Sequence, residues 1–293
     1  MLDLQNVTKT FGNVKALDDL TMTVPRGAVY GLVGPNGAGK STAIRCLLGV
    51  YRPDCGTVTL DGAPVYENPV AKARIGSIPD DIFYFPSATM EDMRKFYQGI
   101  YPKFDQALYY KLFEAFDLPK KAPLRRFSKG MQKQAAFHLT LCTRPEVLVL
   151  DEPVDGLDPV MRRQVWSLIL SEVAKEETTV LISSHNLREL EDICDHVGIM
   201  DHGRMLLQRS LADMQGATHK LQLVGNIPDG LEILHQNQSG RLTTLIVRGK
   251  AEDIAAKAQA AQCVYFDVLP LSLEEIFIYE LGGVNYEVKN IVL

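Results

Sequence analysis

Cysteine is sparse and scattered along this chain of 293 residues. Its five copies, Cys46, Cys55, Cys142, Cys194 and Cys263, are odd in number and make no CxxC pair. That argues against a disulfide framework and against a zinc site, and it fits reduced thiols in a cytoplasmic protein. Positive charge is also in short supply, with 31 Lys and Arg against 36 Asp and Glu, a net charge of −5. A protein whose main task is neutralising nucleic-acid phosphates needs the opposite balance, so no nucleic-acid partner is expected. No apolar run approaches the ~20 residues that span a bilayer. The opening MLDLQNVTKTFG lacks the basic-then-apolar order of a secretory leader. Internal repeats and low-complexity tracts are missing too. What remains is 46% apolar and 23% charged residues, the mix of a folded globular chain with room for one large domain and a smaller one.

Patterning then supplies a fold class. Leu2–Val7 and Leu17–Val24 alternate as half-buried strands do, and Ala28–Val33 is a short apolar run that suits a buried strand. Lys40–Gly49 reads as a helix ended by glycine, and Thr57–Leu60 as a strand. From about Ala88 to Arg144 aromatic and apolar residues recur at helical spacing (Met93, Phe96, Tyr97, Ile100, then Leu108, Leu112, Phe113, Phe116). This predicts an inserted helical subdomain over about 86–145. Val147–Leu150, Val180–Ser183 and Val197–Met200 are β-rich runs separated by helical stretches, the alternation that builds a parallel sheet. Past Gly216 the composition shifts. His219–Val224, Leu242–Val247 and Val264–Val268 read as strands and Ala251–Ala261 as a helix. The expected organisation is an α/β core over 1–216 and a small C-terminal α+β appendage over 217–293.

Two motifs carry chemistry. Gly34, Pro35, Asn36, Gly37, Ala38, Gly39, Lys40, Ser41 and Thr42 fit G-x-x-x-x-G-K-[ST], directly after a predicted strand and opening a predicted helix. Glycines let backbone N–H groups turn inward around a phosphate, and the helix N-terminus adds partial positive charge. Lys40 sets a point charge against the β- and γ-phosphates, and the Ser41 hydroxyl suits Mg²⁺. The second motif is Val147–Leu150 followed by Asp151 and Glu152. In a parallel sheet ligands gather at carboxyl ends of strands. Asp151 can hold Mg²⁺ through water, and Glu152 can polarise the water that attacks the γ-phosphate. Without the phosphate loop upstream, the same pair reads equally as a solvated acidic strand end.

Four further features are ordinary when taken singly. Ser128 reads as a helix N-cap, Asp155-Gly156-Leu157-Asp158-Pro159 as a turn, His185 as a structural histidine at a strand end, and Phe11 as a core aromatic. In combination with the two motifs, their order and spacing resemble the ATPase subunit of an ATP-binding cassette (ABC) transporter, over about residues 1–215. Ser128-Lys129-Gly130-Met131 falls where that family has its signature loop, Asp158 at its D-loop aspartate, His185 at its switch histidine and Phe11 near its adenine-stacking aromatic.

The resemblance implies a P-loop ATPase fold and a mechanism. Two cassettes, identical or different, face head to tail with two ATP molecules between them. Ser128 and Gly130 of each cap the γ-phosphate held on the other's phosphate loop, His185 senses that phosphate, and hydrolysis opens the dimer. A separate polytopic membrane subunit is implied, which would hold the chain at the cytoplasmic face of the cell membrane. Asp80 to Glu91 is expected to form part of the docking surface, with Tyr84, Phe85 and Pro86 as apolar contacts. Lys129 and Met131 replace the usual glycine and glutamine, a variant that resembles the ABC-2 type exporter branch. Pro270–Phe277 is similar to the segment that often closes such subunits. Near Ile78-Pro79-Asp80-Asp81, where the family has its Q-loop glutamine, there is none, and Asp80 takes its place as a candidate neighbour of Mg²⁺. Val154 stands where a small hydroxyl residue is common. The alternatives are a soluble cassette ATPase serving a non-transport machine, or a complex that senses and signals.

Overall fold

The alternating segments at the amino end find their partners in one antiparallel sheet. In the computed structural model, which describes residues 1–116, 118–176 and 178–281, β1 (Leu2–Phe11) pairs with β2 (Val14–Val24). The phosphate-loop region follows as β3 (Val29–Val33) and α1 (Lys40–Leu47). Next come β4 (Cys55–Leu60), β5 (Ala63–Pro64), a single-turn α2 (Pro69–Lys72) and β6 (Ile75–Ile78). Three helices make the predicted helical insertion: α3 (Met90–Ile100), α4 (Gln106–Phe116) and α5 (Lys129–Leu141). The chain continues through β7 (Val147–Asp151), α6 (Pro159–Glu176), β8 (Thr179–Ser184), α7 (Leu187–Glu191), β9 (His196–Asp201) and β10 (Arg204–Ser210). It ends with α8 (Leu211–Ala217), β11 (Thr218–Val224), β12 (Glu232–Ser239), β13 (Leu242–Arg248), α9 (Ala251–Ala260), β14 (Tyr265–Pro270) and α10 (Leu273–Leu281). Among the described residues no helix is long and apolar enough to cross a membrane. The apolar end Ile291-Val292-Leu293 lies outside the described residues.

Contacts divide the chain into two compact units. The first comprises Met1–His185 and Gly198–Gln208, the second Asn186–Val197 and Arg209–Leu293. The units therefore do not meet at the sequence boundary of 216/217, because the segment after His185 packs with the tail. There α7 packs on α10, and the Glu191 carboxylate accepts the Leu273 N–H at 3.2 Å.

The first unit is built on a six-stranded sheet of order β10-β9-β3-β8-β7-β6, parallel across β3, β8, β7 and β6. β3, β7 and β8 are buried along their whole length, as strands covered on both faces must be. Their carboxyl ends line up by register, with Val33 opposite Ser184 and Asp151 opposite Ser183. That register brings three chain-distant segments to one edge. The β1–β2–β4–β5 sheet packs its apolar face on α1, sharing a core that includes Leu4, Leu20, Tyr30, Leu47 and Leu181. The second unit has its own sheet, β12-β13-β11-β14, all antiparallel, with α9 laid on a separate core of Leu221, Leu223, Leu245, Val247 and Ile254.

The helical insertion corrects one expectation. Tyr84 is not an exposed contact. It is buried, and its hydroxyl donates a 2.8 Å hydrogen bond to the Gln132 carbonyl of α5. Its neighbours Phe83 and Phe85 are the exposed aromatics there, at 78% and 48%.

Candidate nucleotide-binding site

The turn from β3 into α1 is a cradle that only glycine permits at its two ends. A Cβ at Gly34 would lie 2.3 Å from the Met200 carbonyl oxygen. One at Gly39, where φ is +103°, would lie 2.6 Å from the Ala16 carbonyl oxygen. Gly39 is the residue before α1, and no side chain caps that helix. Its first N–H groups are thus left for an anion, with the partial positive charge of the helix end behind them.

Lys40 is 6% exposed and its ammonium already has three oxygens near it. It donates to the Gly34 carbonyl at 2.7 Å and the Pro35 carbonyl at 3.4 Å, and it lies 3.4 Å from Glu152 Oε1. Phosphate oxygens are stronger acceptors for this cation than carbonyls. The open cleft around the loop is about 760 Å³. The turn from Pro35 to Thr42 lines it, together with Val14, Lys15, Ala16 and Asp18 from the β2 side, Asp80, Glu152, His202 and Gly203.

The strand ends supply oxygen ligands. Ser41 Oγ donates to Asp151 Oδ1 at 3.3 Å, and Ser183 Oγ donates to the same oxygen at 2.6 Å. Ser183 also accepts the Glu152 N–H at 3.0 Å. Glu152 has φ +47°, a left-handed conformation uncommon for a residue with a Cβ. Its carboxylate faces Lys40 on one side and the His185 Nδ1 on the other, at 3.0 Å. Hydroxyl and carboxylate oxygens of this kind suit Mg²⁺, which keeps most of its shell for water and phosphate. Asp80 lines the same cleft. Partial desolvation raises its carboxyl above the usual range, against the pull of the Lys133 ammonium and with the carboxylates of Asp81, Asp155 and Asp151 adding to the rise.

The remaining sequence candidates stand apart. Ser128, Gly130, Asp158 and Phe11 do not line the cleft among the described residues, and His185 reaches it through its contact with Glu152. Ser128 caps α5, accepting the Met131 N–H at 3.3 Å. Asp158 caps α6, accepting the N–H groups of Val160 and Met161 at 3.0 and 3.1 Å. Both are exposed. A Cβ at Gly130 would make only ordinary contacts, the nearest 3.6 Å away, so packing within this chain does not demand glycine. Phe11 is 44% exposed and meets Tyr51 edge-to-face at 5.2 Å. Val154 is buried. Two residues emerge that the sequence did not single out. Ser183 ties the Asp151 carboxylate to the Glu152 backbone N–H through a single hydroxyl at the end of an apolar run. Lys133 donates 2.9 Å bonds to the carbonyls of Glu152 and Asp155.

Comparison with known proteins agrees with this geometry. A family profile described as "ABC transporter" matches residues 17–155. The chain is 30% identical over 288 residues to the ABC transporter ATP-binding protein YtrB of Bacillus subtilis (strain 168), covering 97% of this chain and 99% of that one. It is 32% identical over 296 residues to Nod factor export ATP-binding protein I of Burkholderia lata, covering 96% and 97%. A solved structure described as the ATP binding subunit of an ABC transporter superposes with a TM-score of 0.68 at 26% identity, over 73% of this chain and 92% of that one.

Proposed function

This chain belongs to the family of ABC transporter ATP-binding proteins, and from that premise we propose that it is the subunit whose MgATP-driven dimerisation powers export through a separate membrane subunit. It is an ATP-binding, ATP-hydrolysing protein. The observation that carries the finer reading is the convergence of Lys40, Asp151, Glu152 and His185 from three strand ends onto one phosphate cradle.

The roles follow from that geometry. The backbone of Gly34–Thr42 and the Lys40 ammonium take the β- and γ-phosphates. Ser41 and, through water, Asp151 would hold Mg²⁺, with Asp80 as a further candidate, and the ion would supply charge neutralisation there. Glu152 accepts the proton of the attacking water, and its contact with His185 orients that carboxylate while the histidine senses the γ-phosphate. Phe11 provides a face for the adenine. Residues 1–216 form the nucleotide-binding domain under this reading, and 217–293 an appended domain.

A second cassette completes each site. The exposed N-terminus of α5, with Ser128 and a Gly130 that internal packing does not require, suits close approach to a partner's nucleotide. Under this reading the exposed Asp158 also faces the second cassette. The exposed Phe83 and Phe85, with Phe96 edge-to-face against Phe85 at 5.3 Å, form the apolar surface for the membrane subunit. The export direction is supported by the Nod factor export relative and by Lys129 and Met131 in the signature loop.

The test is capture of the partner. Tagged Glu152→Gln protein is expressed in its native cell, supplied with MgATP and extracted in mild detergent. A stoichiometric polytopic membrane protein is the expected companion. Ribosomes, nucleic acid or a soluble homodimer alone would overturn the transport reading and leave the ATP chemistry standing.

A further inference from the structure

Glu152 occupies an uncommon backbone conformation, so something must hold it there. On its amide side that is Ser183. On its carbonyl side it is Lys133, from the second turn of α5. The Lys133 ammonium donates to the Glu152 carbonyl at 2.9 Å and to the Asp155 carbonyl at 2.9 Å, closing a clamp across the turn between them. Lys133 is 6% exposed. Burying an ammonium is costly unless acceptors and counter-charges surround it. Desolvation pulls its pKa down, while the carboxylates of Asp80, Asp155 and Glu152 pull it back up. Two of these three carboxylates belong to the catalytic turn and the third is Asp80, while the Lys129 ammonium adds to the lowering.

We propose that Lys133 is a positioning residue for the hydrolytic reaction, clamping the backbone of Glu152 and Asp155 so that the Glu152 carboxylate stays aimed at the attacking water. The proposal rests on the assignment of Glu152 as the base. One charge-assisted bond fixes the carbonyl of the left-handed Glu152 and a second fixes that of Asp155, three residues on. A side chain that only filled space at this position would need no ammonium. Leucine or methionine would fill the space between α5 and this turn at lower desolvation cost.

The test compares Lys133→Met, Glu152→Gln and the double variant, as full-length chains, for MgATP affinity and single-turnover hydrolysis. Lys133→Met is expected to bind MgATP within threefold of wild type and to hydrolyse it at least tenfold more slowly, with Lys133→Arg recovering most of the rate. In the Glu152→Gln background, where no turnover is expected, the same change is expected to leave MgATP affinity within threefold, because the residue acts on the base and not on the nucleotide. A Lys133→Met rate within threefold of wild type overturns the proposal, as does a more than tenfold loss of MgATP affinity in the double variant. If Lys133→Met does not fold, Lys133→Gln, neutral but still a donor, takes its place with the same thresholds. Hydrolysis surviving in Glu152→Gln itself would instead overturn the base assignment, so the two failures are told apart.

Discussion

Ser183 donates its hydroxyl proton to Asp151 Oδ1 at 2.6 Å, across the register pair that joins β8 to β7. Both residues are buried. The same hydroxyl oxygen accepts the Glu152 N–H, so one side chain fixes the Mg²⁺-side carboxylate and the backbone of the proposed base. Ser183→Ala leaves Asp151 Oδ1 with only the 3.3 Å bond from Ser41 and takes the acceptor from the Glu152 N–H, at a cost of about 1–3 kcal/mol. A lowered Tm is expected, together with a higher Mg²⁺ concentration for half-maximal turnover. A Tm and Mg²⁺ dependence equal to wild type would remove Ser183 from this role.

Glu152 and His185 share a 3.0 Å contact, with His185 the more exposed partner. Glu152→Gln keeps the shape of the side chain and removes the proton acceptor. It is expected to abolish steady-state turnover while ATP binding persists. General-base catalysis contributes about 10²–10⁴-fold, and a loss in that range is expected for His185→Ala as well, since it removes the group that orients the carboxylate. Substantial turnover in Glu152→Gln would take the base role from it.

Lys40 donates to the Gly34 and Pro35 carbonyls and pairs with Glu152. Phosphate oxygens compete for that ammonium with higher charge. Removing a charge-assisted hydrogen bond costs about 1.5–3 kcal/mol, which is roughly 10–150-fold in Kd. Lys40→Ala should weaken ATP binding by that factor in a fluorescent-nucleotide titration. Unchanged affinity would refute the phosphate-loop assignment.

What could be read from the sequence was whatever announced itself locally. The G-x-x-x-x-G-K-S run and the apolar strand before Asp151 carry their own structural context, and both lie where that context predicts. Ala251–Ala260 and Leu242–Arg248 were legible from composition and alternation. β6, Ile75–Ile78, was not, because four residues interrupted by glycine give no period. β12, Glu232–Ser239, is an exposed polar edge strand whose only signal is its pairing with β13. Ser183 and Lys133 were invisible for a different reason. A serine inside a strand and a lysine inside a helix acquire meaning only when register and helix packing bring them to Asp151 and Glu152. Tyr84 was misread for the same reason, since its burial depends on the Gln132 carbonyl 48 residues away.

His138 makes the stability of the helical insertion depend on pH. It is fully buried on α5 among Tyr109, Phe113 and Phe116, with ring centroids 4.6 to 6.1 Å away. Its Nε2 donates to the Tyr109 carbonyl at 2.7 Å, while among the described residues Nδ1 has no hydrogen-bond partner. Desolvation lowers its pKa from 6.5 to about 4, opposed by the Tyr109 hydrogen bond. Between those values the unfolded chain takes up a proton that the folded chain refuses, so stability falls as pH drops from 6.5 towards 4. Above 6.5 the group is neutral in both states and contributes no pH dependence. At pH 5, one and a half units below the unfolded pKa, the loss is about 2 kcal/mol at 1.36 kcal/mol per unit. His138→Phe leaves the Tyr109 carbonyl without its donor and should lower stability at every pH. It should also remove this group's share of the decline between pH 7 and pH 5. Denaturant unfolding of both proteins at the two pH values measures it. An equal decline in wild type and variant would place the pH dependence in other groups.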